Sequence, residues 1–499
     1  MLLVILAGPL LTAALTGLTG RNANLRDSLI VIAGVAQAAL VLSLWPVVEQ
    51  DLEITLWSWQ GGLSFALHLE PMGLLFATVA SCLWPVTSLY AIGYLRGAHE
   101  KHHTRFFIFF ALAIFAAMLI AFAANGLTLF IGYEAMTFAT WPLVAHKGTP
   151  EARRGARIYL AVLLTTSIGL LLPALVWTYV LTGTTDFRDG GILAGKASPG
   201  TLAVLYAMFL FGIGKAALMP FHRWLPSAMV APTPVSALLH AVAVVKAGTF
   251  AVLKITIYYF GIDTMQMSGA GNLMMWVAAF TILAAAAIAV RQDNLKARLA
   301  YSTISQLSYI VLGAAVATRY AVLEGALHVL THAAGKITLF FCAGAIYVAT
   351  HRTKVSELDG LGAKMPVTFA AFTLAAISII GLPPLAGSWD KLLLMEGAVE
   401  AGTPVMMGVL LVSSLLGIAY LMPIPIRAFF MPEPGSPATA DDPSGESRII
   451  RRPQITEAPI ACLIPLCLTA LACIGLFFVE DWLIAPLADS LGYGWRHVE

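Results

Sequence analysis

Fourteen apolar runs, each close to the length a helix needs to cross a bilayer, follow one another along this chain. A spanning helix takes about 20 apolar residues, because the hydrocarbon core is about 30 Å thick and a helix rises about 1.5 Å per residue. The runs cover approximately 2–19, 29–47, 72–94, 106–123, 127–145, 158–182, 201–220, 235–258, 273–290, 299–316, 322–349, 367–395, 404–426 and 458–479. Lipid offers backbone groups no hydrogen-bond partner, so each run has to close its own bonds as a helix. The fold class expected is therefore an all-α polytopic membrane protein. Composition excludes the alternatives: 59% of the 499 residues are hydrophobic and 11% charged, against about 25% charged in soluble domains. With 29 basic and 27 acidic residues, there is no field to steer a polyanion, and a nucleic-acid binder is excluded with the cytosolic and secreted classes. The first run lacks a basic segment ahead of it, and Arg21 and Arg26 follow it. It is expected to be a retained helix and not a signal peptide.

Basic residues gather in cytoplasmic loops. With the N-terminus outside, twenty of them fall in inward loops, and four (Arg188, Lys196, Arg319, Arg496) fall in outward loops and the tail. An even number of spans then puts the C-terminus outside as well, in a cell membrane protein. The expected organisation is a three-helix segment (1–105), a first five-helix repeat (106–258), a second (273–426), a Pro/Ser/acidic cytoplasmic linker (427–457) and a last helix with an outer tail (458–499). That linker, containing MPEPGSPATADDPSGESRIIRRP, reads as disordered. Two consecutive five-helix blocks, spans 4–8 and 9–13, run in inverted topology because five is odd.

The remaining five basic residues lie inside spans, and all are lysines: Lys215, Lys246, Lys254, Lys336 and Lys391. A charge at the centre of a membrane helix costs at least about 2.5–3.5 kcal/mol, which marks these residues as functional candidates. A lysine, unlike an arginine, can release its proton when desolvated. Two acids are singled out inside spans, Glu134 and Asp390. Lys215 precedes Pro220, where the seventh span is expected to break and leave 220–226 as an irregular segment lining a cavity. Lys246 lies in mid-span, with His240 six residues before it and off its face; His240 is equally well a core histidine. Lys254 is expected to snorkel to the outer interface. In the eleventh span His328, His332 and Lys336 recur at every fourth position, a column over about 12 Å of helix, and Gly335 would ease local unwinding. Pro383 and Pro384 interrupt the twelfth span just before Asp390 and Lys391. Broken helices in two inverted halves point to a midplane site. A carboxylate that approaches or leaves a buried lysine holds or frees its proton, so Glu134 and Lys215 form a candidate switch and the histidine column a candidate relay.

The stretch PFHRWLPSAMVAPTPVSALLHAVAVVKAG at 220–248, followed by RQDNLKARLAYSTISQLSYIVLG at 291–313, resembles the antiporter-like proton-translocating subunits. These include the membrane-arm subunits of complex I, subunits A and D of Mrp-type multisubunit sodium/proton antiporters, and related subunits of membrane-bound hydrogenases. VSELDGLGAKMP and GLPPLAGSWDKLLL are most similar to the D-type Mrp subunit. The resemblance covers about residues 70–430. It implies Glu134 as pair partner, Lys215 as switching lysine, Lys246 as bridging lysine, Lys336 as central relay and Lys391 as terminal lysine, with His240, His328 and His332 on the polar axis. The family pattern has a small or neutral residue before the terminal lysine, and Asp390 departs from it: it can hold Lys391 charged or help bind a cation.

The resemblance implies a proton-translocating subunit of a sodium/proton antiporter, with other membrane subunits as partners and protons and sodium as cargo. The rivals are a proton-pumping subunit of a complex I-like or hydrogenase-like redox complex, a proton-path partner of an inorganic-carbon capture complex, and a membrane anchor with a vestigial relay. No nucleotide loop, flavin fingerprint or iron–sulfur cysteine set occurs. No cofactor, no metal and no catalysis by the chain alone are expected. Cys82, Cys342, Cys462, Cys467 and Cys473 fall in apolar stretches and read as small buried hydrophobes.

Overall fold

A computed structural model describes residues 1–50, 52–59, 61–433 and 454–490, without the side chains of 240, 242, 480, 481 and 490. Each expected apolar run is occupied by a helix or by a helix with a break in it. Among the described residues nine helices are long and apolar enough to cross a membrane, and a tenth is the bent pair Val244–Phe260 and Ile262–Ser268, which turns by 79°. Leu2–Leu18, Pro199–Gly212 and Pro366–Ile380 are shorter; the last two are the opening halves of the broken seventh and twelfth spans. Both breaks fall in the fourth helix of their five-helix block.

The seventh span stops earlier than its proline suggests. Pro199–Gly212 ends there, a 3-10 turn Gly214–Ala216 carries Lys215, and helical structure resumes at Trp224–Ser227. Pro220 removes an N–H donor further along, but close packing has already set the break. Gly248, on the eighth span, lies so near that a Cβ there would sit 2.5 Å from Ala216 N and 2.6 Å from the Lys215 carbonyl carbon. Trp224 Nε1 then donates to Gly214 O at 2.8 Å, tying the far side of the break to its start. The eighth span is itself interrupted: a π-turn Leu238–Val242 leads through Ala243 into Val244–Ile255, which carries Lys246 and Lys254. The twelfth span breaks as its prolines require, between Pro366–Ile380 and Gly387–Glu400, with Gly381 in the left-handed region (φ +86°).

The eleventh span is one unbroken helix, Arg319–Thr350. Gly335 does not unwind it. The missing side chain instead admits Ile379 of the twelfth span, whose Cδ1 would be 2.8 Å from a Cβ at 335. This helix and its neighbour Leu295–Val316 are 94% buried over their apolar windows, whereas Val405–Phe430 and Ile460–Val479 are 33% buried. The polar residues of the eleventh span are thus enclosed by protein, and the last helix packs on it, with Thr338 Oγ1 donating to Thr469 Oγ1 at 2.8 Å.

An antiparallel hairpin, β1 (Glu53–Ser58) and β2 (Ser64–His68), lies between the second and third spans. The alternation in EITLWS and SFALH is its sequence signal, and it sits in what reads from the apolar pattern alone as a plain loop. His68 N donates to Phe122 O at 2.8 Å and Ala66 N to Thr128 Oγ1 at 3.1 Å, so β2 docks on the turn between the fourth and fifth spans. The face bearing this hairpin is called the hairpin face below.

Most of the linker, 434–453, and the tail from 491 lie outside the described residues, with Arg448, Arg451, Arg452 and Arg496. The linker's described ends converge. Glu433 pairs with Lys364 at 2.7 Å and Arg352 at 3.2 Å, and Thr456 N donates to Lys364 O at 2.8 Å.

Two consequences are measurable. Gly248→Val presses a side chain into backbone and is expected to cost about 1–3 kcal/mol, seen as a lower unfolding temperature of the purified protein, while Gly408→Ala, with open space around it, leaves the temperature unchanged. An unshifted Gly248→Val would refute the contact. His146, just past the fifth span, is held to about 4 by burial and then by Arg105, below its usual value near 6.5. The fold keeps it neutral, so the stability it contributes is complete above pH 6.5 and is lost as pH falls toward 4. His146→Gln should flatten the stability–pH curve over that window, and an unchanged slope would show that other groups carry it.

Candidate functional site

Lys215 is fully buried, which requires partners for its ammonium. Its Nζ donates to Tyr133 O at 2.8 Å and Thr137 Oγ1 at 2.6 Å, both on the fifth span. It lies 3.1 Å from the centre of the Tyr133 ring, a cation–π contact. The Tyr133 hydroxyl returns to the same residue, accepting from Lys215 N at 2.9 Å. Glu134 is the charge that acts on Lys215, yet no ion pair joins them within 4 Å, and both Glu134 carboxylate oxygens lack hydrogen bonds among the described residues. The ammonium is therefore held by neutral acceptors, with Glu134 standing apart from it.

Two residues before Gly248, Lys246 Nζ donates to His328 O at 3.2 Å, which links the eighth span to the eleventh. The charges facing Lys246 are Asp390 and Glu324. Glu324 is a further acid inside a span, fully buried and one turn before His328, and sequence reasoning passed over it although it lies within the 322–349 run. Spacing could have found it, since 324, 328, 332 and 336 continue the same column. His328 Nδ1 donates to Asp390 Oδ2 at 2.9 Å, with Glu324 Oε1 at 3.8 Å. Thr331 Oγ1 also donates to Asp390 Oδ2. The rings of His328 and His332 are 5.3 Å apart, and that of Tyr309 stacks on His328 at 5.9 Å.

Lys336, further along the column, turns to the tenth span, where its Nζ donates to Ser302 Oγ at 2.5 Å and Ser302 donates to the Tyr420 hydroxyl at 3.0 Å. Lys391 reaches back across the break in its own span to donate to Ile380 O, and it donates to Ser414 Oγ at 2.7 Å. Gly381 makes that possible: a Cβ there would meet Lys391 Cδ at 2.7 Å. The carbonyl is available because the helix has ended and left its last acceptors without intrahelical donors.

The structure thus brings together Lys246, His328, His332, Asp390 and Lys391, and the Lys215 turn abuts the eighth span at Gly248. Glu134 stands beside Lys215 without touching it, and Lys336 is bound away to Ser302. His240 lies in the π-turn Leu238–Val242, and its side chain is outside the description. Lys254 does not snorkel. It is fully buried and pairs with Glu70 Oε1 at 2.6 Å, because Glu70, the Ala123 carbonyl and the Phe187 ring close over what the hydropathy pattern presents as a span end. Chemically, these are protonatable groups interleaved with neutral hydrogen-bond acceptors.

Residues 123–417 match the model of the family described as NADH:quinone oxidoreductase/Mrp antiporter, transmembrane. The NADH-quinone oxidoreductase subunit N of Desulforudis audaxviator is 31% identical over 461 residues, 91% of this chain and 90% of that protein. Subunit L of the Mycobacterium tuberculosis enzyme is 33% identical over 389 residues, 76% of this chain but 58% of that one, so the chain spans little more than half of the longer relative. Among solved structures, the Mrp complex from Dietzia sp. superposes with a TM-score of 0.82 at 27% identity, covering 99% of this chain and 52% of its counterpart. The membrane-bound sulfane sulfur reductase, an archaeal respiratory complex, gives 0.84 at 23% identity over 99% and 98%, a likeness of fold. The chain is a multi-pass membrane protein that belongs to the NADH:quinone oxidoreductase/Mrp antiporter transmembrane family.

Proposed function

We propose that this chain is the proton-translocating subunit of a multisubunit monovalent cation/proton antiporter, with sodium as the coupled cation. The observation that carries the reading is the row of buried lysines, Lys215, Lys246 and Lys391, each bonded to main-chain carbonyl oxygen and each facing a carboxylate. In this reading Glu134 swings toward Lys215 to hold its proton and away to free it. Lys246 takes the proton across to the eleventh span, His328 and His332 relay it with Glu324 alongside, Lys336 is a central station and Lys391 delivers it at the far end, where Asp390 tunes the last step. His240 belongs to the same axis. The two five-helix repeats, 106–258 and 273–426, each form one half of the path around their broken helix. The basic-residue distribution supports both termini lying outside a cell membrane, and the other subunits of the complex supply the cation route.

A second reading is favoured by the relatives: subunits N and L belong to NADH-quinone oxidoreductases, which makes a redox-driven pump the rival. Cation-dependent proton exchange in everted vesicles of an antiporter-deficient host, carrying the whole operon with and without Lys215→Ala, separates the two. Sodium-driven exchange that falls at least tenfold in the variant is expected. No exchange with any monovalent cation, in a complex shown to be assembled, would overturn the antiporter reading in favour of the redox-driven one. Lys336→Met should lower exchange as strongly, since it removes a proton station but keeps the packing volume; wild-type exchange in that variant would take Lys336 out of the path.

A further inference from the structure

Lys254 and Glu70 stand apart from the row described above. Lys254 lies eight residues after Lys246 on the same helix, about 12 Å further along its axis, toward the hairpin face. Its ammonium is fully enclosed by Glu70 Oε1 at 2.6 Å, Ala123 O at 2.5 Å and the rings of Phe187 and Phe250 at 4.6 and 5.6 Å. Glu70, 5% exposed, also meets the Tyr258 hydroxyl. Behind this pair the hairpin face opens into a cavity of about 730 Å³, lined by Glu70 and Tyr258 and by Glu49, Glu53, Asp186 and Asp189. His68, Arg188 and Asp489 also line it. A buried ion pair with one member at the wall of an open, acid-lined cavity and the other on the helix of the bridging lysine is placed where the row would meet water.

We infer that Lys254 and Glu70 form a proton-exchange station joining the buried lysine row to water on the hairpin face; the inference rests on the proton-translocating function proposed above. In the outward direction the Lys254 ammonium passes a proton to the Glu70 carboxylate, leaving an amine and a carboxylic acid. Glu70 gives that proton to cavity water, forming hydronium and restoring the carboxylate. The amine is refilled from Lys246 through water entering between the two lysines, so one proton moves and both groups return to their starting charge. The competing account is that the pair only ties the third, fourth and eighth spans together.

Lys254→Arg separates the two. An arginine keeps the charge and the ion pair but does not release its proton, so a structural tie survives and a proton station does not. In the vesicle assay, with the whole complex assembled, Lys254→Arg is expected to lose at least tenfold of the exchange. The double variant Glu70→Gln/Lys254→Met is expected to stay equally low, although it removes any unpaired charge. Wild-type exchange in either assembled variant would overturn the inference. Should the arginine variant fail to assemble, Glu70→Gln, which still accepts from Lys254, gives the same test with the same two outcomes. Lys215→Ala run in parallel tells the two proposals apart: if it abolishes exchange while Lys254→Arg does not, only the station falls, whereas an inactive wild type removes the function itself.

Discussion

The bond from a buried ammonium to a main-chain carbonyl organises this protein. Four of the five lysines inside spans make it: Lys215 to Tyr133, Lys246 to His328, Lys254 to Ala123 and Lys391 to Ile380. An ammonium taken out of water needs acceptors, and a carboxylate would meet that need at the cost of fixing the proton by charge. A carbonyl carries no net charge, so it accepts from the ammonium without pinning the proton there and can accept from the neutral amine as well. The lysine therefore keeps a partner whether or not it has given up its proton. Two of these carbonyls lie at helix ends, where the last acceptors have no intrahelical donors. The break in the twelfth span thus supplies an acceptor, Ile380 O, as well as irregular backbone.

The two breaks solve the problem differently. In the seventh span the lysine sits within the interrupting turn, pressed between the fifth span and Gly248 of the eighth. In the twelfth the lysine follows the break and reaches back over it. There Asp390 falls in the first turn of Gly387–Glu400, where the positive end of the helix dipole favours a carboxylate, and His328 and Thr331 both donate to it. The acid that departs from the family pattern is accordingly tied to the eleventh span through one carboxylate oxygen.

Much of this was legible in the sequence. The fourteen runs, the break at Pro383–Pro384 and the column at 328, 332 and 336 follow from hydropathy, proline chemistry and helical spacing. What stayed hidden depended on contacts between distant segments. Lys254 looks like a span-end lysine until Glu70, Ala123 and Phe187 are folded over it. Gly335 looks like a hinge until Ile379 fills the space beside it. The seventh span breaks before its proline because Gly248 belongs to another helix, and Glu134 stands clear of Lys215 because Tyr133 and Thr137 already satisfy the ammonium. Glu324 is the exception, a residue the column itself pointed to.

The unbroken helix Arg319–Thr350 has 32 residues, about 48 Å of rod at 1.5 Å per residue. A hydrocarbon layer of about 30 Å does not hold such a rod upright and contained, so the helix leans or projects beyond the layer. A leaning rod converts position along its axis into position across the membrane plane. The residues at 324, 328, 332 and 336 then stand at different lateral places as well as different depths, and one helix becomes a diagonal crossbeam between the block that holds Lys246 and the block that holds Asp390.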